Sequence, residues 1–471
     1  SVIDYLQVNP AWGDWSDIAA VGRSFRLMFD LVLNHMSRQS EWFKRFCAGD
    51  PDYANHFIVV EPGTDLSQVT RPRTLPLLTE VETAAGKKLV WTTFSDDQMD
   101  LNFAEPALFL RMVDVLLAYA AHGAEIVRLD AIAYLWKRIG TSCIHLPETH
   151  CMVKLMRAIL DVVAPGVLLI TETNVPHAEN ISYFGNGTDE AQLVYQFPLP
   201  PLTLHAFASG DASYLTRWAQ GLSEPGPQAT FYNFLASHDG IGVRPVEGIL
   251  PPAEVQRLID QVQRHGGYVS FRNNPDGSQT AYELNISYFD ALSDPQADEP
   301  QALQVSRMLA AHAVMMSLQG VPAFYVHSLL GSRNYPEGVA ETGRYRSINR
   351  EKLHRAPLER ELDRAGSLRA EVLSGFRRLL TARRSDPAFH PSTPQLVLDV
   401  GKELFAVRRQ PSGGPAVLCL TNVTHRRVAL RVPCRTATRD LLTGRPYHAH
   451  EGCVAVELPP YGVLWLKEVG A

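Results

Sequence analysis

The sequence predicts an α/β fold, a barrel of parallel strands carrying inserted segments, followed by a small antiparallel β domain. Three observations predict it. Apolar runs of strand length alternate with helical periods from Ser16 to Arg384, and the regularity of that alternation favours a closed barrel. From Ala388 the texture changes to short strands separated by Gly, Pro and Asn, as in an antiparallel β domain. Four of the earlier apolar runs end on polar residues able to do chemistry, and in a parallel barrel the carboxyl ends of the strands line the site.

In chain order, Ser1 to Trp15 is irregular and leads into a helix over Ser16 to Gly22, with Ser16 and Asp17 as caps. Phe25 to Asn34 has almost no polar interruption, as expected of a parallel strand buried on both faces. Met36 to about Asp100 loses the long period and reads as an inserted domain; it contains Arg71-Pro72-Arg73-Thr74 and a strand over Leu89 to Phe94. Leu108, Met112, Val115, Leu116 and Tyr119 give Glu105 to Gly123 one buried helical face. The strand Glu125 to Asp130, a helix over His150 to Val163, and the strands Leu168 to Glu172, Leu193 to Phe197 and Phe231 to Ala236 follow. A Pro- and Gly-rich insert runs to about Asp298 and reads as irregular loop. Then come a helix over Leu303 to Leu318, a strand over Val321 to Val326, a polar loop from Glu337 to Arg350 and a helix over Ala370 to Arg384. The resulting division is 1–35 barrel, 36–100 inserted domain, 101–239 barrel, 240–298 second insert, 299–387 last barrel strand with closing helices, and 388–471 C-terminal β domain. In that last domain strands are expected over Gln395 to Val400, Leu404 to Arg409, Ala416 to Asn422, Val428 to Val432, Val454 to Leu458 and Val463 to Lys467.

Composition narrows the function. A net charge of −6 with no run of like charges gives no field for nucleic acid. The six cysteines are scattered without a Cys-x-x-Cys pair, which fits neither a zinc site nor a disulfide framework and suits a reducing, cytoplasmic setting. No apolar run approaches the roughly 18 residues of a membrane helix, so no membrane partner is expected.

The polar strand ends carry the chemistry. Glu125 to Asp130 presents Arg128 and Asp130, Phe29 to His35 ends on Asn34-His35, Leu168 to Glu172 ends on a carboxylate, and His238-Asp239 follows Phe231 to Ala236. Three carboxylates, each after a separate strand, suit glycoside cleavage, in which one carboxylate acts as nucleophile and one carboxylic acid protonates the leaving oxygen about 5 to 5.5 Å away. Arg128, two residues before Asp130 on the same strand face, would orient Asp130 and keep it ionised. Glu172 has no cation beside it in sequence, so burial would favour its protonated form, as an acid requires.

In order and context, these four regions resemble those of glycoside hydrolase family 13, the α-amylase clan, and within it the sucrose phosphorylase subfamily, especially the members that cleave glucosylglycerate. The resemblance covers nearly the whole chain. It implies a TIM (β/α)8 barrel with Asp130 as nucleophile, Glu172 as acid/base and Asp239 as the third carboxylate that grips sugar hydroxyls. It also implies that His35 and His238 bond glucose hydroxyls, that Arg346 closes the glucose pocket, and that Arg73 of the Arg-Pro-Arg loop meets phosphate. Tyr282-Glu283 stands where sucrose phosphorylases carry Tyr-Gln, a glutamine that contacts fructose. That departure, with the arginines of the Glu337 to Arg350 loop, favours a carboxylated acceptor such as glycerate.

The implied activity is transfer of an α-glucosyl group from a small glucoside, first choice 2-O-α-glucosylglycerate, to phosphate. Sucrose, sucrose 6-phosphate or glucosylglycerol phosphorolysis, an α-glucosidase or amylase-type hydrolase, and an inactive sugar-binding module are the alternatives. No cofactor and no metal is expected, although Asn34 falls in the clan's calcium-linked region. The partners are the glucoside and phosphate, with the protein a monomer or homodimer. The six strands match the third to eighth of the barrel, so the chain as written is expected to lack the first two and to be inactive by itself.

Overall fold

The computed structural model describes residues 1–72, 75–274, 278–434 and 437–469. The chain divides into two compact units, Ser1–Tyr195 with Pro225–Ala229 and Phe271–Thr280, and Gln196–Glu224 with Thr230–Ser270 and Ala281–Ala471.

In the first unit four parallel strands lie in the order β1 (Leu27–Val32), β2 (Ala124–Asp130), β3 (Leu168–Thr171) and β4 (Leu193–Tyr195). β2 is central, and its Val127 and Leu129 are completely buried. β1 departs from the expected double burial: only Leu31 is fully buried and Met28 is exposed, because β1 is the last strand of its sheet with β2 on one side. The first helix, Trp15–Gly22, starts just ahead of the expected caps. Asp14 accepts from the backbone of Ser16 and Asp17 while Asp17 takes the Asp14 N–H, a capping box.

The inserted residues are more regular than their composition suggests. The strand His35–Ser37 pairs with Gln98–Asp100, and Val59–Val60, Gly86–Trp91 and Leu78–Thr83 form a three-stranded sheet. Val60, Val69, Leu77, Trp91 and Cys143 make a small core there. Helix Pro106–Ala121 is capped by the Glu105 carboxylate on the Ala107 N–H and ends at Gly123, whose φ of +90° suits glycine. Helix Pro147–Val163 begins three residues earlier than expected, with proline in its first turn where no N–H is needed.

In the second unit β5 (Thr230–Asn233) and β6 (Val321–Pro322) pair in parallel. Both stop short of the expected Ala236 and Val326. Pro322 has no N–H to extend the ladder, the Ala323 N–H closes on the Asn233 carbonyl at 2.7 Å, and a short helix Val326–Leu329 follows. Among its described residues the expected loop over 240–298 holds the strand Ile241–Gly242, helix Pro252–Arg264, strands Tyr268–Asn273 and Gln279–Asn285, and helix Tyr288–Leu292. Pro251 and Pro252 start the helix rather than break it, and Leu258, Ile259 and Val262 supply a buried face. The expected polar loop is helix Pro336–Thr342 followed by a 3-10 turn over Tyr345–Asn349. Helix Leu199–Ser209, unforeseen because Pro198, Pro200 and Pro201 crowd its start, is buried along most of its length.

Helix Gln301–Ser317 runs through the core of this unit, where Met308, Val314 and Met315 join Val372, Phe376 and Leu379 of helix Leu368–Arg384. The C-terminal part has one sheet in the order Gln395–Leu398, Leu404–Arg409, Val417–Asn422, Val463–Glu468, Thr438–Asp440, Pro446–Tyr447, and a pair Val428–Pro433 with Cys453–Leu458. The six expected strands are present; Thr438–Asp440 and Pro446–Tyr447 are additions. Among the described residues no helix is long and apolar enough to cross a membrane.

Candidate active site

The first cluster lies within the first unit. β2 ends on Asp130, and the register Leu129 with Thr171 sets Glu172 on the neighbouring strand end. Arg128 sits under both. Its side chain is 8 % exposed, its Nη1 donates to Asp130 and to Asp30 at 2.6 Å each, and its Nε donates to the Tyr195 hydroxyl at 3.2 Å. Its Nη2 lies 3.7 Å from Glu172 Oε2. Burial alone would depress the guanidinium pKa, but Glu172, Asp130 and Asp30 together raise it, so Arg128 is permanently charged. The expectation that Glu172 has no cation beside it is therefore corrected: the cation reaches it across the sheet. Glu172 Oε2 also accepts the Ala131 N–H at 3.2 Å, and Ala131 holds φ at +50° directly after Asp130.

His35 belongs to the same unit. Its ring is buried, with Nδ1 at 3.3 Å from the Asn34 amide, Nε2 at 2.7 Å from the Gln98 amide and Phe94 at 5.3 Å. Burial lowers its pKa and the nearby Lys137 adds to this, against opposing pulls from Asp100 and Asp130. The Tyr5 hydroxyl donates to the Val32 carbonyl at 2.7 Å and ties down the backbone that leads to His35. Lys137, whose side chain is buried, puts its ammonium against Asp100 Oδ2 at 2.6 Å, Asn34 Oδ1 at 2.6 Å and the Tyr134 carbonyl at 2.5 Å.

The second cluster lies within the second unit. Asp239 is not at a strand end; it stands on the irregular segment after β5. Arg346 Nη1 pairs with Asp239 Oδ1, Arg350 Nη2 reaches the same oxygen at 3.2 Å, and Asn349 donates to the Asp239 carbonyl at 3.0 Å. His238 is largely exposed, with Nε2 at 3.6 Å from Asp239, and its carbonyl accepts from Arg350. Tyr282 and Glu283 sit on the strand Gln279–Asn285, both buried. Glu283 is 1 % exposed, and its two oxygens take Arg346 Nε at 2.9 Å and Nη2 at 2.8 Å, while Oε1 also accepts the Gly240 N–H at 2.9 Å. A Cβ at Gly240 would meet both Glu283 Cγ and the Leu284 carbonyl at 2.5 Å, so glycine is required there. Glu283, expected among the substrate-binding residues, turns both oxygens to Arg346. Burial would lower the Arg346 pKa, but Glu283 and Asp239 raise it.

Arg73 lies outside the described residues. Asp30, Asp100, Lys137, Tyr195 and Arg350 are site neighbours that the sequence reading missed. Two had a signal, Asp30 as a lone carboxylate inside an apolar strand and Lys137 as the first of two cations, Lys137-Arg138, closing the apolar run from Ala131 to Trp136.

Strand-end carboxylates sharing one buried arginine define a class, and the comparisons agree. The family description "Alpha amylase, catalytic domain" matches residues 1–239, and the chain belongs to that family. Its relatives narrow the branch to glycoside phosphorylases. The chain is 52 % identical to the glucosylglycerate phosphorylase of Spirochaeta thermophila, over 99 % of this chain and 81 % of that one. It is 46 % identical to the glucosylglycerate phosphorylase of Escherichia coli K12, over 99 % and 82 %, and 30 % identical to the sucrose phosphorylase of Agrobacterium vitis, over 84 % and 80 %. Among solved structures, sucrose 6F-phosphate phosphorylase from Thermoanaerobacter thermosaccharolyticum shares the fold, with a TM-score of 0.78 at 22 % identity over 99 % of this chain and 88 % of that one.

Proposed function

We propose that the protein is a retaining glycoside phosphorylase that transfers the α-glucosyl group of 2-O-α-glucosylglycerate to inorganic phosphate, giving α-glucose 1-phosphate and glycerate. The similarity of 46 to 52 % to glucosylglycerate phosphorylases over nearly the whole chain carries the reaction. Phosphorolysis of sucrose or glucosylglycerol belongs to more distant relatives, at 30 % identity and below.

The side chains supply a double displacement. Asp130 attacks the anomeric carbon while Glu172 gives its proton to the departing glycerate oxygen, leaving glucosyl-Asp130. Phosphate then attacks from the face the glycerate left, its proton passing to Glu172, and the α-configuration returns. Arg128 holds the nucleophile through a charge-assisted bond at 2.6 Å. Asp239, held by Arg346 and Arg350, supports the glucose hydroxyls and the oxocarbenium-like transition state. His35 and His238 bond glucose hydroxyls, and Arg73 takes phosphate. No cofactor enters. Calcium is not part of the proposal; the oxygen of Asn34, which falls in the clan's calcium-linked region, accepts from the Lys137 ammonium.

The test is release of phosphate from α-glucose 1-phosphate with glycerate, glycerol, fructose or fructose 6-phosphate as acceptor. Fastest turnover with glycerate is expected. Sugar release at the same rate with no acceptor would make the protein a hydrolase.

A further inference from the structure

We propose that Lys137 is a positioning residue that fixes the tautomer of His35, so that His35 meets its substrate as an N–H donor at Nε2. The Asn34 amide links Lys137 to the His35 ring. Three oxygens surround Lys137 Nζ, those of Asp100, Asn34 and the Tyr134 carbonyl, and three acceptors require the three N–H donors of an ammonium. An amide nitrogen facing that cation at 2.6 Å would set donor against donor, so Asn34 turns its oxygen to Lys137. Its Nδ2 then faces Asp100 Oδ2 at 3.1 Å, which only a donor satisfies, and the two constraints agree. The same Nδ2 lies 3.3 Å from His35 Nδ1. Nδ1 therefore accepts, and the ring hydrogen is on Nε2.

Gln98 must match. Its Nε2 lies 2.7 Å from His35 Nε2 while its Oε1 accepts from Ser95 Oγ at 2.9 Å, an orientation that a turn of the amide reverses. Two amide nitrogens cannot both donate to a ring that carries its own hydrogen. Asn34 is locked by two charged neighbours, whereas Ser95 bonds a donor or an acceptor equally well, so Gln98 presents its oxygen to Nε2–H. In the reaction proposed above, on which only this step rests, a glucose hydroxyl oxygen takes the place of the Gln98 oxygen.

The test uses the full chain labelled with 15N-histidine, with the His35 signals identified by their loss in His35→Gln. The unaltered protein should show the Nε2–H tautomer. Lys137→Met alone strands the Asp100 carboxylate and threatens folding, so the informative variant is the charge-balanced Lys137→Met/Asp100→Asn. There the oxygen of the introduced amide keeps the Thr93 N–H, which now lies 3.0 Å from Asp100 Oδ1, and the amide nitrogen stands where Asp100 Oδ2 bonds Thr93 Oγ1 and Asn34. Asn34 must then turn its own oxygen towards that nitrogen and towards His35, and the ring should switch to Nδ1–H. With donor assays, KM should rise about tenfold while kcat changes less, the order of magnitude of one hydrogen bond to a substrate hydroxyl. An Nδ1–H tautomer or an imidazolium in the unaltered protein would overturn the proposal, as would an unchanged tautomer in the folded double variant. Absence of phosphorolysis with a correct tautomer would defeat the proposed reaction and leave the tautomer assignment standing.

Discussion

Glu172→Gln separates the acid from the nucleophile. Glutamine has the shape of glutamate, and its carbonyl oxygen can keep the bond that Glu172 Oε2 now accepts from the Ala131 N–H at 3.2 Å. Arg128 retains Asp130 and Asp30 as partners at 2.6 Å, so the cation beneath the site is not stranded. The substitution therefore removes a proton source with little change of structure. General acid catalysis contributes about 10² to 10⁴-fold, or roughly 3 to 5 kcal/mol of barrier at about 1.4 kcal/mol per factor of ten. With 2-O-α-glucosylglycerate, whose leaving alkoxide needs that proton, kcat should fall by the full factor. With α-glucosyl fluoride, whose leaving group departs as an anion, formation of glucosyl-Asp130 should remain within about tenfold of the unaltered enzyme, an order-of-magnitude expectation from the same proton-transfer argument. The assay is initial-rate phosphorolysis of the two donors at matched phosphate, with fluoride release giving the first step directly. Equal losses on both donors would refute the assignment of Glu172 as the acid.

Asp130→Asn should abolish turnover on both donors, because no covalent intermediate can form. In the unaltered enzyme the released glucose 1-phosphate should be α by proton NMR, and a β product would exclude double displacement. Glu283→Gln should loosen Arg346 by replacing a paired carboxylate fork with a single acceptor; at about 1.5 to 3 kcal/mol for hydrogen bonds to charged groups, the preference for glycerate over fructose should fall at least about tenfold. An unchanged glycerate-to-fructose preference in the variant would show that the Glu283–Arg346 pair has no bearing on acceptor choice. Trp465→Ala removes a fully buried ring whose centroid lies 4.7 Å from that of Phe389, and should cost about 3 to 5 kcal/mol, read as a lowered urea midpoint; a loss below about 1 kcal/mol would show that the C-terminal sheet repacks freely.

Short-range pattern was enough for the elements that bury one face. The helical period of Leu108, Met112, Val115, Leu116 and Tyr119 and the apolar run before Asp130 placed a helix and a strand within a few residues of their observed ends. The reason is that burial of a regular face leaves a period in the chain itself. The residue types Asp130, Glu172, Asp239, His35 and Arg128 were legible for a related reason, since each follows or lies in a run whose end a parallel barrel exposes.

What the sequence could not decide are the neighbours that come from elsewhere in the chain. Glu172 looked free of cations because Arg128 is 44 positions away, yet the register of two adjacent strands brings the guanidinium to 3.7 Å. The pairing of Glu283 with Arg346 was hidden in the same way, because the two are 63 positions apart. Lys137 had no visible role until folding set it against Asn34 and Asp100, which precede it by 103 and 37 positions. Likewise 240–298 read as loop because its prolines and glycines interrupt the local pattern, whereas burial of Leu258, Ile259 and Val262 supports helix Pro252–Arg264 within it. Residue type and period are properties of the local chain, and they fix which groups are offered. Which charges meet, which carboxylate is free for a ligand and which ring nitrogen carries the hydrogen depend on long-range contacts that exist only once the chain is folded.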